Sequence, residues 1–152
     1  MRLQKRTQIE GEWLKAKQLS NGMTIRLTDA AFTHPSQYVN DNGSPKMQVV
    51  AHCSVFSAEG VEAKTKSPLI VRINAPSVEG LIEAFGEETA EWINEPLTVQ
   101  LEKTTVGGKR STALYLIPEG FELTEDASDY MHVTRIGETP VAAAPPDEAL
   151  TF

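Results

Sequence analysis

Basic and aromatic side chains that could bind a polyanion recur along the predicted strands of this chain. Lysine and arginine pair with phosphate oxygens, and an aromatic ring can stack on a nucleobase. Strand alternation places Arg26, His52, Phe56 and Arg72 on outward, polar faces. The candidates for nucleic-acid contacts are Arg26, Phe32, Tyr38, Lys46, His52, Phe56, Lys64, Lys66, Arg72, Lys103, Lys109, Arg110 and Tyr115. The competing interpretation is an ordinary solvated surface, with Phe32 and Tyr115 in the core.

Residue types that catalyse reactions or bind metals do not form a recognisable constellation. The three histidines, His34, His52 and His132, lack metal-ligand spacing. The one cysteine, Cys53, lies on the apolar face of a predicted strand, where a small core residue is expected. Gly107-Gly108-Lys109 resembles the end of a phosphate loop, but it lies between two strands and therefore favours a hairpin turn. We expect neither an enzyme nor a bound metal or cofactor.

Negative charge is concentrated in two blocks of the sequence. The net charge is -7, yet residues 77–95 contain six acids and no base, and residues 124–152 contain six acids and one base. The rest of the chain is therefore mildly basic, which removes the main objection to a nucleic-acid ligand. Glu79, Glu83 and Glu87 recur at helical spacing opposite an apolar stripe, which is typical of a solvated helix face.

Three strands are predicted in the first half of the chain. Residues 23–28 and 47–56 alternate apolar and polar side chains, and residues 61–73 predict a third strand in which Pro68 indicates a bulge or an edge position. Residues 34–45 are rich in proline, asparagine and glycine and predict a long loop. Asn21-Gly22 and residues 58–60 predict turns.

A change of period predicts a helix after the third strand. Apolar residues at helical spacing run from Val78 to Phe85, with Ser77 as the N-cap and Gly86 as the end. A second short helix is expected over residues 88–93, anchored by Trp92 and Ile93. Two further strands follow, at 97–102 and 110–117, joined by a turn at Gly107-Gly108.

Three strands, a helix and two strands follow the order of an OB fold, a five-stranded Greek-key barrel. A ferredoxin-like order would need a helix after the first strand, where the sequence has only loop residues, so we rank it lower. We expect a mainly β OB-fold domain over residues 1–123 and a flexible acidic tail over residues 124–152. Residues 130–136 are the one stretch of this tail with the pattern of an extra strand.

The C-terminal residues have a composition of their own. Residues 137–152 contain an alanine and proline run followed by Asp147, Glu148 and a terminal Phe152. This tip resembles that of bacterial and phage single-stranded DNA-binding proteins, although it has only two acids and Thr151 stands where a proline is common. The resemblance implies that Asp147, Glu148 and Phe152 recruit partner proteins.

A second resemblance covers residues 20–120. The run Gly86-Glu87-Glu88-Thr89-Ala90-Glu91-Trp92-Ile93-Asn94-Glu95, followed by Gly107-Gly108-Lys109, is similar to a "GxxTxxWIGK" stretch and "GGK" turn. Small phage and prophage single-stranded DNA-binding proteins of the OB fold carry this pattern. Asn94-Glu95 replaces the usual Gly-Lys, which removes one candidate phosphate contact.

The expected function is therefore sequence-independent binding of single-stranded DNA, with RNA left open as a ligand, in replication or recombination of a phage or mobile element. Replication and recombination proteins are the expected partners, and a homo-oligomer is left open. The alternative is a protein-interaction or inhibitor module on an OB-like barrel. The basic N-terminus is followed by no apolar stretch and there is one cysteine, so we expect a cytoplasmic protein without membrane contact.

Overall fold

The chain is mainly β with one α-helix in residues 9–106 and 108–137, the part that this computed structural model describes. The strands are β1 (Glu12–Trp13), β2 (Thr24–Leu27), β3 (Phe32–Val39), β4 (Pro45–Phe56), β5 (Leu69–Ile73), β6 (Leu97–Val106), β7 (Lys109–Pro118), β8 (Phe121–Glu125) and β9 (Met131–Arg135). The helix α1 spans Ala75–Phe85. Short 3₁₀ helices cover Ala16–Gln18 and Thr89–Trp92.

The strands form one large mixed sheet and a separate hairpin. The order in the large sheet is β1-β5-β4-β2-β6-β7, with β3 also paired to β4, and β8 pairs with β9. The long strand β4 organises the sheet: its first half pairs with β3, its second half with β2, and its other edge with β5. The ladders of the large sheet are antiparallel except for β1, which runs parallel to β5.

The sheet stays open, so the closed five-stranded barrel predicted from the sequence is not confirmed. In the described residues no ladder joins β7 to β5 or β1. Side chains from the start of α1 bridge part of the gap instead. Asn74 Nδ2 donates to the Leu114 carbonyl at 3.0 Å, and the Leu116 amide donates to Ser77 Oγ at 3.0 Å. We call the gap between β1 and β7 the seam.

The inner face of the sheet forms the main core with α1 and the second 3₁₀ helix. Ile25, Val71 and Leu97 are among its fully buried strand residues, and Leu81 of α1 packs against them. Trp92 is 1% exposed and its indole donates to the Gly86 carbonyl at 2.8 Å, which confirms it as an anchor. Ile93 is 37% exposed, so its expected role as a second anchor is wrong.

Two predictions in the first half of the chain need correction. Residues 34–45 are not a loop, because β3 runs through residue 39 and forms a hairpin with β4. Pro35 is tolerated since β3 has only one strand partner among the described residues. The third strand is shorter than expected: β5 begins at Leu69, and residues 57–68 contribute only one bridge, Phe56 to Glu62.

The N-cap of the helix lies three residues before the predicted one, Ser77. Asn74 is the N-cap, since its side-chain oxygen accepts from the Ser77 amide at 3.2 Å, and Pro76 stands in the first turn. The end at Gly86 is confirmed, with its amide donating to the Ile82 carbonyl at 2.8 Å and a φ of 95°.

The extra strand predicted within residues 130–136 is confirmed as β9. It pairs with β8, and the hairpin packs against α1 through Val133 and against β7 through Phe121. The proposed boundary at 123/124 therefore falls inside a strand, and residues 124–137 belong to the folded part. Residues 138–152 lie outside the described residues.

Gly80 sets how closely α1 approaches β9. A Cβ at this position would lie 2.8 Å from Val133 Cβ and closer still to its Cγ1. Glycine to alanine in a helix is ordinarily stabilising, but here the clash should lower the free energy of unfolding by about 1–3 kcal/mol. We expect G80A to lower the denaturant midpoint, measured by circular dichroism, and G80A/V133A to recover part of the loss. A midpoint of G80A equal to or above the wild type would contradict this packing.

Candidate nucleic-acid interface

The N-terminal segment brings an exposed tryptophan onto the outer face of the sheet. The Glu12 amide donates to the Pro68 carbonyl at 2.8 Å, and the Leu14 amide donates to the Ile70 carbonyl at 2.8 Å. This pairing places Trp13 beside Ile70 on the outer face. Trp13 remains 38% exposed. A large ring held by backbone on an exposed surface is a platform for another flat group.

An arginine and a histidine side chain flank the Trp13 ring. The Arg72 guanidinium carbon lies 5.9 Å from the ring centroid, and the His34 ring lies 5.8 Å away at 48°. Arg72 is itself exposed. We call Trp13, His34 and Arg72 the Trp13 patch. It combines a stacking surface with a cation that can bind a phosphate.

A groove of about 490 Å³ follows the seam beside the Trp13 patch. Its apolar floor includes Leu14, Ala113 and Leu114, and its cations are Lys15 and Arg72. Trp13, Ala16, Asn74 and Thr112 complete its lining, which contains no carboxylate. The local field of this groove therefore favours an anionic ligand despite the acidic balance of the chain.

Arg26 and Phe56 form a second aromatic and cationic contact on the outer face. The Arg26 guanidinium carbon lies 5.7 Å from the Phe56 ring centroid, and Nη1 donates to the Asn94 carbonyl at 2.6 Å. Part of Arg26 therefore holds the turn at Asn94, whose φ is 64°. The remaining guanidinium donors are the ones available to a phosphate.

His52 ties the N-terminal segment to the sheet. Its Nδ1 lies 2.6 Å from Asp29 Oδ2, and its Nε2 lies 2.7 Å from the Glu10 carbonyl oxygen. Both ring nitrogens are therefore engaged within the protein, which makes His52 a positioning residue for the segment more than a phosphate ligand.

Phe32 and Tyr115 are buried, as the competing interpretation of the sequence had it. Phe32 is 1% exposed and packs with Val50 and Ile70, while Tyr115 is 8% exposed beneath the β8–β9 hairpin. Burial, and secondarily the charge of Glu102, raises the pKa of the Tyr115 phenol. In this structure neither ring offers an open face for a base to stack on.

The remaining candidates do not converge on one groove. Tyr38 is 60% exposed on β3 and Lys46 is exposed on β4. Lys64 and Lys66 line a separate groove of about 500 Å³. Lys103 and Arg110 are exposed on the β6–β7 hairpin. By strand alternation they lie on the same side of the sheet as its inner face, whereas Arg72 lies on the outer face. The Lys109 side chain, Gly107, Asp147, Glu148 and Phe152 lie outside the described residues.

Sequence reasoning missed Trp13, His34 and Lys15. A strand of two residues has no alternation to read, so β1 gave no signal, and β3 was taken for a loop. The available signal was the pairing of Trp13 and Leu14 with nearby lysines, which marks an apolar anchor in a basic segment.

No protein-family model, no curated protein and no solved structure matches this chain. Across the described residues no helix is long and apolar enough to cross a membrane. The same residues contain no group of three or more histidine, cysteine or acidic side chains placed to hold a metal ion.

The Cys53 side chain points into the main core on the inner face of the sheet and is 6% exposed. Burial, and secondarily the negative charge of Asp29, raises the pKa of its thiol to about 12. Because only the thiolate attacks disulfide reagents, the native protein should react with such a reagent at pH 8 only as fast as it opens. Reaction kinetics followed by absorbance would check this, with C53A/S54C as a control whose thiol faces outward. Rapid labelling of native wild-type protein would contradict the placement.

Proposed function

We propose that the chain is a single-stranded DNA-binding protein of phage or mobile-element type that acts in replication or recombination. The observation that carries the proposal is the Trp13 patch, an exposed ring flanked by Arg72 and His34 beside a groove without carboxylates. Single-strand binders combine these two elements, a stacking ring and a cationic path for the phosphates.

In this proposal the nucleic acid contacts two places on the outer face, the Trp13 patch and Phe56, whereas Val50 is covered by Ile9 and His52 contacts the Glu10 carbonyl. His52 pairs with Ile70, the neighbour of Trp13, and Phe56 lies four residues further along β4, about 13 Å at about 3.3 Å per residue. Bases stack on Trp13 at one end and on Phe56 at the other, and Arg72, Lys15 and Arg26 face the phosphates. Stacking reads no base edge, so sequence matters little and salt weakens binding.

The chain order supports an OB-like reading of the open sheet. If β2 and β3 are two halves of one interrupted strand, then β4, β5, α1, β6 and β7 follow in the order of an OB fold. The resemblance to phage proteins, with its "WI" stretch and "GGK" turn, agrees with this reading. In this proposal Asp147, Glu148 and Phe152 recruit replication or recombination proteins.

A second candidate function is a protein-interaction module without affinity for nucleic acid. It is favoured by apolar side chains exposed on the β3–β4 hairpin, where Tyr38 is 60%, Val39 62% and Met47 41% exposed. A hairpin that presents such residues can bind a protein surface. This candidate predicts a stable protein complex and no binding to an oligonucleotide.

The test is fluorescence anisotropy with a labelled ~30-nucleotide single strand, titrated with the full chain at several salt concentrations. One stacked base contributes about 1–3 kcal/mol, so W13A should weaken binding about five- to 150-fold. R72A should also weaken it and lower the slope of log K against log salt by about 0.7. Duplex DNA and RNA of equal length define the ligand class.

Two matched variants control for the loss of an aromatic ring and of a charge. Tyr130 is 60% exposed on the turn between β8 and β9, and Arg135 contacts Glu83 on α1. Y130A and R135A should therefore bind like the wild type. Absence of binding by the wild type at low salt, or equal losses in Y130A and W13A, would reject the proposal and favour the protein-interaction module.

A further inference from the structure

The strand edge of β1 that faces the seam has unpaired backbone groups. Glu12 and Leu14 direct their amides to β5. Successive residues of a strand point their amide and carbonyl to opposite sides, so the Trp13 amide and carbonyl point into the seam groove. No described residue forms a backbone hydrogen bond with them.

The edge of β7 faces the same groove. Leu114 directs its carbonyl to Asn74, and Leu116 directs its amide to Ser77, both away from β6. By alternation the Thr112 amide and carbonyl, and the Leu114 amide, also point away from β6. The opposite residue on β6 agrees with this assignment. Leu101 pairs with Leu114, and its amide points away from β7, since it donates to Asn21 Oδ1 at 2.7 Å.

Two strand edges therefore face each other across about 490 Å³ of open groove. Each edge offers donors and acceptors without partners among the described residues, the Leu114 carbonyl excepted. An extended polypeptide can satisfy both edges at once, because its amides and carbonyls alternate to the two sides. A helix cannot, since its backbone groups are used internally.

We propose that an extended acidic segment of a partner protein enters the seam as a strand between β1 and β7. Its backbone pairs with Trp13 on one side and Thr112 on the other. Its carboxylates contact Lys15 and Arg72, the cations of a groove lined by no acid, and its alternate side chains pack on Leu14 and Leu114. Charge complementarity selects this occupant from other extended chains.

This inference goes beyond DNA binding and does not depend on it. Trp13 and Arg72 also belong to the Trp13 patch, so if both activities exist, the acidic strand and single-stranded DNA compete. The backbone contacts separate the two: Thr112 pairs with the peptide and has no part in the stacking contacts proposed for DNA.

The probe is a labelled eight-residue peptide that alternates Glu or Asp with Val or Thr, titrated into the full-length chain. One comparison peptide replaces the acids with lysine. Another carries N-methyl groups at alternate residues, which block strand pairing and leave the charge unchanged. Backbone amides are followed by NMR, with hydrogen exchange at Trp13 and Thr112 as the signature of pairing.

The decisive variant is Thr112→Pro, which removes the amide donor at an edge position where proline is tolerated. Its control, Thr112→Val, keeps the amide and loses the hydroxyl. We expect the acidic peptide to bind the wild type and T112V alike, and T112P at least about tenfold more weakly. The lysine and N-methylated peptides should bind no better than the acidic peptide binds T112P. The unfolding midpoint of T112P reports whether it is folded.

Several outcomes would overturn the inference. These are no binding of the acidic peptide to the wild type, equal binding of the N-methylated peptide, or binding without protection of the Trp13 and Thr112 amides. If T112P is unfolded, the N-methylated peptide still decides. If a peptide of residues 138–152 of this chain protects the same amides more strongly, the occupant is the chain's own tail. Loss of oligonucleotide binding with intact peptide binding rejects only the proposed DNA function.

Discussion

The close approach of Gly11 to Pro68 is the constraint on which the described surface depends. Gly11 has a φ of 130°, and a Cβ there would lie 2.5 Å from the Pro68 carbonyl oxygen, so only glycine fits without displacement. This contact lets β1 pair with β5. It also leads Ile9 over Phe32, Val50 and Ile70, and directs the Glu10 carbonyl to His52. Trp13 is exposed in a fixed position because the segment before it is anchored by Ile9, by the Glu10 carbonyl and by the Glu12 amide.

The sheet is open beside this short pairing. Strand β1 pairs with β5 over two residues, no ladder among the described residues joins it to β7, and polar side chains at the start of α1 bridge part of the gap. The helix thereby fixes the width of the seam, and the β8–β9 hairpin in turn fixes the helix through Gly80 and Val133. The groove, its free strand edges and the Trp13 patch therefore all border the seam.

Local patterns predicted part of the fold. Alternation of apolar and polar residues predicted β2, β4, β6 and β7, and Gly86 predicted the end of α1. Strand β3 could not, since its pairing with β4 overrides a composition typical of loops. Alternation also assigned sides without showing what covers them. Tyr115 does lie on the outer face, but the β8–β9 hairpin covers it, and Ile9 covers Phe32. The Trp13 patch depends on a pairing between residues more than fifty positions apart, which no local pattern shows.

Amide hydrogen exchange across Glu12, Trp13 and Leu14 is the measurement that tests this account most directly. The Glu12 and Leu14 amides are bonded to β5 and the Trp13 amide faces the seam, so exchange should alternate, with the outer two at least about tenfold slower than Trp13. That result would establish both the docked segment and the free edge. Uniformly fast exchange at all three would show that the segment is not docked, and slow exchange at Trp13 would show that the seam is already filled.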